Sequence, residues 1–204
     1  MKIALYGASG MMGSRIAAEA LARDHEVTAI TRSGSANVPD GATPRRGDAA
    51  DGDDVARIAS EHDVVISAIG PSRTGVRHEV FLQAMATLGE NVGSRRLIVV
   101  GGSGSLYAAP GLRLLDTPTY PAAARAEAVS QLAALELLKD TGALLDWVYV
   151  SPAPFTAPGE RRGSYRRGGD SVLGEQISAE DFAVAVLDEV EHPRYHRARF
   201  CVAW

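Results

Sequence analysis

The chain has 204 residues, of which 46% are hydrophobic and 23% charged, a composition that excludes a disordered or fibrous protein. Its formal net charge of −4 gives no general attraction to nucleic acid or to an anionic membrane. Cys201 is the single cysteine, which excludes an internal disulfide and a cysteine-based metal site. We therefore expect a single cytoplasmic domain over residues 1–204, a monomer or homodimer that acts on a small molecule, with no nucleic-acid or membrane partner.

The first residues predict a strand, a tight turn and a helix. An apolar run ends in glycines at positions 7, 10 and 13, and apolar residues then recur at helical spacing. Gly7 suits an abrupt turn, Gly10 leaves the backbone open to a diphosphate, and Gly13 allows close helix packing. Free N–H groups and the helix dipole favour phosphate at such a helix start. The alternative is a glycine-rich turn without a ligand. The predicted dinucleotide-binding residues here are Gly7, Ala8, Ser9, Gly10, Met11, Met12 and Gly13.

Strands and helices then alternate along the chain. Strands are predicted at residues 26–31, 63–70, 96–101, 146–150 and 199–204, with a short extended piece at 45–48. Helices are predicted at 51–60, from Val76 to Leu88, at 122–139, and after Ser178, with Ser178 as N-cap and Asp181 in the capping-box position. Residues 107–120 are predicted to be irregular, and residues 151–176 to form a small substrate-side loop or hairpin region. This order predicts an α/β, Rossmann-like, doubly wound parallel sheet in three layers, α/β/α.

Ligands of such sheets bind beyond the carboxyl ends of the strands. After the second strand, where NAD-binding proteins usually carry an acidic residue, this chain has Arg32 and Ser33. A guanidinium and a hydroxyl there favour a 2′-phosphate, so we expect NADP(H) in preference to NAD(H). Arg15 is a second phosphate partner or a solvated arginine. Asp48 and Ala49 are predicted to contact the adenine, with a turn-capping role as the alternative for Asp48. Further cofactor contacts are predicted at Ala68, Ile69 and Gly70.

The glycine triplet, Arg32, residues 63–70 and the helix start at 178–181 resemble the atypical short-chain dehydrogenase/reductases. The NAD(P)H-binding, NmrA-like subgroup that includes biliverdin reductase B, a flavin reductase, is the most similar, and residues 146–200 resemble its small bacterial members. The resemblance covers essentially the whole chain. It implies that the nicotinamide lies beside the serine after the fourth main strand and the stretch after the fifth, namely Ser103, Ser151, Pro152, Ala153 and Phe155.

Many short-chain dehydrogenases transfer a proton with a Tyr-x-x-x-Lys pair. The only lysines are Lys2 and Lys139, and neither follows a tyrosine at that spacing. Hydride transfer to a flavin or quinone needs little protein acid, because the cofactor supplies the electronics. The sequence therefore predicts an NADPH-dependent reductase of a flavin, quinone or other conjugated acceptor. Ser103 and Tyr120 are the candidate catalytic residues. The alternative for Tyr120 is a packed loop tyrosine.

Two other functions stay open at this stage. One is a non-catalytic, redox-sensing protein that only binds the dinucleotide. The other is an epimerase or dehydratase, which the missing pair and the short C-terminal part disfavour. The arginines between Arg161 and Arg167 are interpreted either as a mobile basic lid over an anionic substrate or as a solvated hairpin. The five histidines show no metal-ligand spacing, and we assign no metal site.

Overall fold

The computed structural model describes residues 1–34, 38–71, 78–141 and 144–204. Its helices are α1 (Met11–Ala22), α2 (Gly52–Ser60), α3 (His78–Asn91), α4 (Ala122–Asp140) and α5 (Ala179–Glu191). Its strands are β1 (Lys2–Tyr6), β2 (Glu26–Thr31), β3 (Thr43–Arg46), β4 (Val64–Ser67), β5 (Arg96–Val100), β6 (Tyr107–Ala109), β7 (Leu112–Arg113), β8 (Trp147–Ser151), β9 (Phe155–Ala157), β10 (Arg166–Gly168), β11 (Gln176–Ser178) and β12 (Ala198–Ala203). The predicted chain break up to Gly75, the helix start near Val76 and the helix stop at Gly142 lie outside the described residues.

The central sheet has eight strands in the order β3-β2-β1-β4-β5-β8-β12-β10. Neighbouring strands are parallel except β10, which runs antiparallel to β12 at one edge. From β1 the chain builds outward to β2 and β3 on one side, and then to β4 and β5 on the other. The strand order therefore reverses between β1 and β4, where open α/β sheets bind their ligands. The predicted α/β class is confirmed, with one antiparallel edge strand added.

The sheet lies between two helical layers, because residues along each strand point alternately to its two faces. In β1, Ile3 and Leu5 pack in one core with α1 and α5, whereas Ala4 and Tyr6 pack in the other core with α2 and α3. All four residues of β4 are buried, as expected for a strand covered on both faces. Within the described part of the chain, no helix combines the length and apolarity that a membrane span needs.

Three short strand pairings add detail to the regions predicted to be irregular, residues 107–120, or loop and hairpin, residues 151–176. β6 and β7 form an antiparallel pair, β9 pairs with β11 in parallel, and β10 pairs with β12. Residues 166–168 therefore extend the main sheet and do not form a hairpin of their own. The strands that were not predicted, β6, β7, β9, β10 and β11, have only two or three residues each, too few to show a periodic pattern.

The cap of α5 is confirmed, since the Ser178 Oγ accepts a hydrogen bond of 3.0 Å from the Asp181 amide. The Asp181 side chain does not complete a capping box. Its carboxylate is fully buried and accepts from the Gly163 amide at 2.8 Å and from Trp204 Nε1 at 2.7 Å. Asp181 thus fastens the segment before β10 and the end of the chain to the start of α5.

Arg161, Arg162 and Arg166 are solvent-exposed, as the solvated interpretation expects, but the segment around β10 also makes specific contacts with the domain. Arg161 donates two hydrogen bonds to the Glu19 carboxylate, at 2.7 and 2.8 Å. The Arg162 guanidinium lies 3.6 Å from the centre of the Trp204 ring. Arg167 donates to the Tyr165 hydroxyl at 2.6 Å and pairs with the buried Glu189 at 3.2 Å. These contacts with α1, α5 and the C-terminal residue attach the segment to the body of the domain.

The Glu19 contact predicts a specific acid sensitivity. The hydrogen bond from Arg161 lowers the pKa of Glu19 below its ordinary value of 4.5. A depressed folded-state pKa stabilises the protein above the unfolded-state pKa, and the contribution is lost as pH falls through the folded-state pKa. We expect Glu19→Gln to lower the free energy of unfolding at neutral pH by about 1–3 kcal/mol. We also expect a weaker fall of stability below pH 4.5, measured by urea unfolding across pH.

The matched control is Glu136→Gln. In the wild type the Glu136 carboxylate forms an exposed pair with Lys139 at 3.0 Å. Exposed pairs contribute little, so this variant should change stability by less than about 0.5 kcal/mol. Equal acid sensitivity in the wild type and in Glu19→Gln would show that the Arg161 contact does not fasten this segment.

Candidate functional site

The glycine turn is built on two close backbone approaches. Gly7 has a φ of 78°, a backbone conformation that residues with a side chain rarely adopt. The Gly10 amide donates a hydrogen bond of 3.0 Å to the Gly7 carbonyl oxygen and closes the turn. A Cβ atom on Gly13 would lie only 2.1 Å from the Gly7 carbonyl oxygen. Helix α1 therefore starts in direct contact with the turn that ends β1, as the glycine spacing predicts.

The start of α1 is open to an anion. Its N-cap, Gly10, makes no side-chain capping bond, and no acidic residue lies in the first turn. The first amides of a helix have no partner inside the helix, so these N–H groups point out over the carboxyl edge of the sheet. Met11 and Met12 belong to this turn, whereas Ala8 is fully buried in the core. Any ligand contact from Ala8 must therefore come from its backbone.

A cavity of about 840 Å³ opens beside this turn, at the carboxyl ends of β1 to β4. That volume lies within the range of small-molecule binding sites. Val80, Phe81 and Ala84 of α3 close its far side. Of the residues predicted to bind the cofactor, those that line the cavity are Gly7, Ser9, Gly10, Arg32, Ser33, Asp48, Ala49, Ala68, Ile69 and Gly70.

The remaining predicted residues lie at the same edge of the sheet but outside this cavity. Ser103 follows β5, and Ser151 ends the adjacent β8. Ser151 is fully buried, and among the described residues its hydroxyl has no hydrogen-bond partner. Pro152 and Ala153 are buried, whereas the Phe155 side chain is 71% exposed. The edge therefore has two halves: a cavity beyond β1 to β4, and a region beyond β5 and β8.

Tyr120 has the environment of a packed residue. A Cβ atom on Gly104 would lie 3.0 Å from its hydroxyl, so Tyr120 contacts the turn after β5 from one side. Burial raises the pKa of Tyr120, and the nearby Arg125 opposes this shift without reversing it. Arg125 itself donates to the Leu115 carbonyl at 2.7 Å. These contacts favour the packed-tyrosine interpretation over the catalytic one.

The structure gives specific contacts to two predicted charged residues. Arg15 does not face the phosphate position freely, because its Nε donates to Glu180 at 3.1 Å. Asp48 has the turn-capping role, since it accepts from the Ala50 amide at 3.0 Å just before α2, whose own N-cap is Asp51. Asp48 also lines the cavity.

Arg46 is a site feature that was missed. It ends β3 directly opposite Thr31, the residue before Arg32, and a Cβ atom on Gly34 would lie 2.9 Å from the Arg46 Cβ. Its neighbour Arg45 is held by Glu61 at 2.6 Å. Among the described residues, neither Arg32 nor Arg46 forms an ion pair. The consecutive arginines were visible in the sequence, but only the pairing of β2 with β3 brings Arg46 beside the Arg32 turn.

Metal binding finds no support in the described ranges, where no three potential His, Cys, Asp or Glu ligands lie together. Free helix amides, an apolar-walled cavity and two arginines suit a phosphorylated nucleotide.

Comparisons with known proteins agree with this geometry. The model of a family described as NAD(P)H-binding matches residues 7–193. The chain belongs to this NAD(P)H-binding family, and the resemblance to atypical short-chain dehydrogenase/reductases is confirmed. The domain therefore binds a nicotinamide nucleotide.

Individual relatives cover the whole chain. The uncharacterized protein YwnB of Bacillus subtilis is 38% identical over 217 aligned positions, which span 99% of this chain and 98% of YwnB. A Burkholderia pseudomallei crystal structure, provisionally named an exported protein, has 39% identity, a TM-score of 0.88 and full coverage of both chains. A Streptococcus pneumoniae structure, provisionally assigned as an NADH-flavin reductase, has 33% identity and a TM-score of 0.88, covering 99% of this chain and 98% of that one.

The contact between Gly13 and Gly7 predicts the effect of a single methyl group. We expect Gly13→Ala to lower the free energy of unfolding by more than about 2 kcal/mol, because the added Cβ overlaps the Gly7 carbonyl. The displaced helix start should also weaken NADPH binding at least about tenfold. Urea unfolding and titration calorimetry measure the two effects. Gly169→Ala is the control, since a Cβ there meets nothing within 4 Å. Tolerance of Gly13→Ala in both assays would contradict the close approach.

Proposed function

We propose that the protein is an NADPH-dependent oxidoreductase that transfers a hydride to a flavin, a quinone or another small conjugated acceptor. In this proposal the cavity beyond β1 to β4 holds the adenosine half of the cofactor. Ser103 and residues 151–155 surround the nicotinamide half. The protein works in the cytoplasm as a monomer or homodimer.

The observation that carries the choice of acceptor is the position of the two lysines. Lys2 begins β1 and lies 4.0 Å from Glu26, and Lys139 in the last turn of α4 pairs with Glu136 at 3.0 Å. Both ammonium groups lie at the amino edge of the sheet, opposite the cavity. No lysine can therefore lower the pKa of a tyrosine beside the nicotinamide, as alcohol and ketone chemistry in this superfamily requires.

A conjugated acceptor removes that requirement, because its own ring system takes up the electron pair. A bound reduced nicotinamide supplies the hydride. The chain's own residues then have three tasks: the α1 amides hold the diphosphate, the turn after β5 and the segment after β8 orient the ring, and the buried surroundings of Ser151 exclude water. The provisional assignment of the Streptococcus pneumoniae relative as an NADH-flavin reductase supports the same class of acceptor.

The positive charges at the carboxyl ends of β2 and β3 support a preference for NADP(H). Arg32 and Arg46 present two guanidinium groups at the carboxyl ends of β2 and β3, and Ser33 adds a hydroxyl. Asp24 and Glu26, the two acids that most closely precede Arg32 in sequence, lie before and at the first residue of β2, at the opposite edge. A 2′-phosphate is therefore attracted here, whereas the carboxylate that would hold a free ribose diol is replaced by arginine.

A turnover assay tests the function. NADPH is mixed with the protein and with riboflavin, FMN or menadione, and the loss of NADPH absorbance is followed. We expect enzyme-dependent oxidation with at least one acceptor. Tight NADPH binding without oxidation of any acceptor would instead establish a non-catalytic cofactor-binding protein.

Arg32→Ala tests the cofactor preference. Loss of charge-assisted bonds to the 2′-phosphate should raise the Kd for NADPH about 10–100-fold and leave that for NADH unchanged. The control is Arg194→Ala, an exposed arginine between α5 and β12 at the opposite edge. Equal losses for NADPH and NADH would mean that Arg32 does not read the 2′-phosphate.

A further inference from the structure

A histidine lies where helices α3 and α4 meet above the sheet. His78 is the first residue of α3, and its side chain is only partly buried. Val80 and Phe81, in the same turn of the helix, line the cavity beyond β1 to β4. His78 is therefore at the carboxyl edge of the sheet, on the side of α3 that faces α4.

One nitrogen of the His78 ring is fixed by a buried partner. Its Nδ1 lies 2.6 Å from the hydroxyl oxygen of Ser130 in α4, a residue that is 1% exposed. Ser130 has a single hydroxyl hydrogen, which it donates to the Ala126 carbonyl at 3.1 Å. Nδ1 is therefore the N–H that donates to Ser130, and in the neutral ring Nε2 carries the free lone pair.

The second nitrogen of this ring is available to a ligand. Among the described residues, none forms a hydrogen bond with Nε2 of His78, and the partly buried side chain can be reached from solvent. His25 and His62 differ, because both of their ring nitrogens are bonded within the protein. A histidine held at one nitrogen and free at the other suits proton transfer, since imidazole gains and loses a proton near neutral pH.

A line of contacts joins His78 to the turn that follows β5. Ser130, which holds the ring, is followed in α4 by Gln131, and a Cβ atom on Gly102 would lie 3.4 Å from the Gln131 Cβ. Gly102 directly precedes Ser103, which the proposed function places beside the nicotinamide. His78 thus lies between the two halves of the carboxyl edge, with the cavity on one side and the turn after β5 on the other.

We propose that His78 is the proton donor of the reductase reaction. This inference rests on the proposed function. A conjugated acceptor that takes up a hydride gains a negative charge on an oxygen or nitrogen of its ring system. The protonated His78 gives its Nε2 proton to that atom and then takes a proton from water. The hydride and this proton together complete the reduction of the acceptor, without a tyrosine–lysine pair.

His78→Asn is the first test, because the asparagine amide can still donate to Ser130 in place of Nδ1 but cannot supply a proton. With the acceptor that the wild type reduces, we expect kcat to fall about 100-fold, the lower end of what a positioned general acid contributes. The Kd for NADPH in titration calorimetry should change less than about twofold. A fall in kcat of less than about fivefold overturns the proposal.

His78→Ala tests the chemical role, because it leaves a space that a free imidazole can enter. Added imidazole should restore part of the lost activity of this variant, as expected when the missing group is a proton donor. A loss that imidazole does not reverse would mean that His78 acts only through packing, and the proposal would be wrong.

The tautomer of His78 can be tested without turnover. In NMR spectra of the 15N-labelled wild type, the neutral ring should carry its hydrogen on Nδ1. Ser130→Ala removes the acceptor of that hydrogen and should let the Nε2–H form appear. A wild-type ring that is protonated at Nε2 in its neutral form contradicts the proposal.

The matched control is His192→Asn. His192 is exposed and follows the last residue of α5, at the amino edge of the sheet. This variant should keep wild-type kcat, and an equal loss in both asparagine variants would overturn the assignment to His78. A wild type that oxidises no NADPH with any acceptor overturns the reductase function and this inference together. A wild type and a His78→Asn variant that turn over equally fast overturn the inference alone.

Discussion

The absence of a side chain at Gly13 is the constraint on which the site depends. Any Cβ at this position would overlap the Gly7 carbonyl, so only glycine lets α1 begin directly against the turn that ends β1. That contact aims the free amides of α1 across the ends of the parallel strands. On the same helix, Glu19 binds both Arg23 and Arg161. One helix thus connects the phosphate-binding end of the domain with the segment before β10.

Two sets of arginines at opposite edges of the sheet have different roles. At the amino edge, Arg96 joins the buried Glu189 at 2.5 Å and Asp146 at 2.9 Å, and this cluster closes the ends of α5 and β8. At the carboxyl edge, Arg32 and Arg46 stay solvent-exposed, without an ion pair to any described residue. A buried charge needs a protein partner to offset its desolvation, whereas an exposed guanidinium stays available to a ligand phosphate.

Local patterns were sufficient to predict most of the fold and half of the site. The glycine triplet, the apolar strand β4 and the Ser178 cap are each encoded within a few residues, and each is confirmed. The short strands β6, β9 and β10 were missed because their partners are distant in sequence, so no local period marks them. The same distance explains Arg46 and the Arg161 segment: the neighbours that define their roles come from β2, α1 and α5. Tyr6 was placed correctly in a strand, but the sequence does not reveal that its buried hydroxyl has no hydrogen-bond partner among the described residues.

The two outermost strands show how an eight-stranded sheet avoids joining a second one. Exposed backbone edges are templates for aggregation, and short, charged or proline-containing edge strands prevent it. β3 has four residues, Thr-Pro-Arg-Arg, and β10 has three, Arg-Arg-Gly. Proline removes a donor from one edge, and the arginines put like charges on both. The arginine that we assign to the cofactor phosphate at the end of β3 therefore also helps to keep separate molecules from polymerising through that edge.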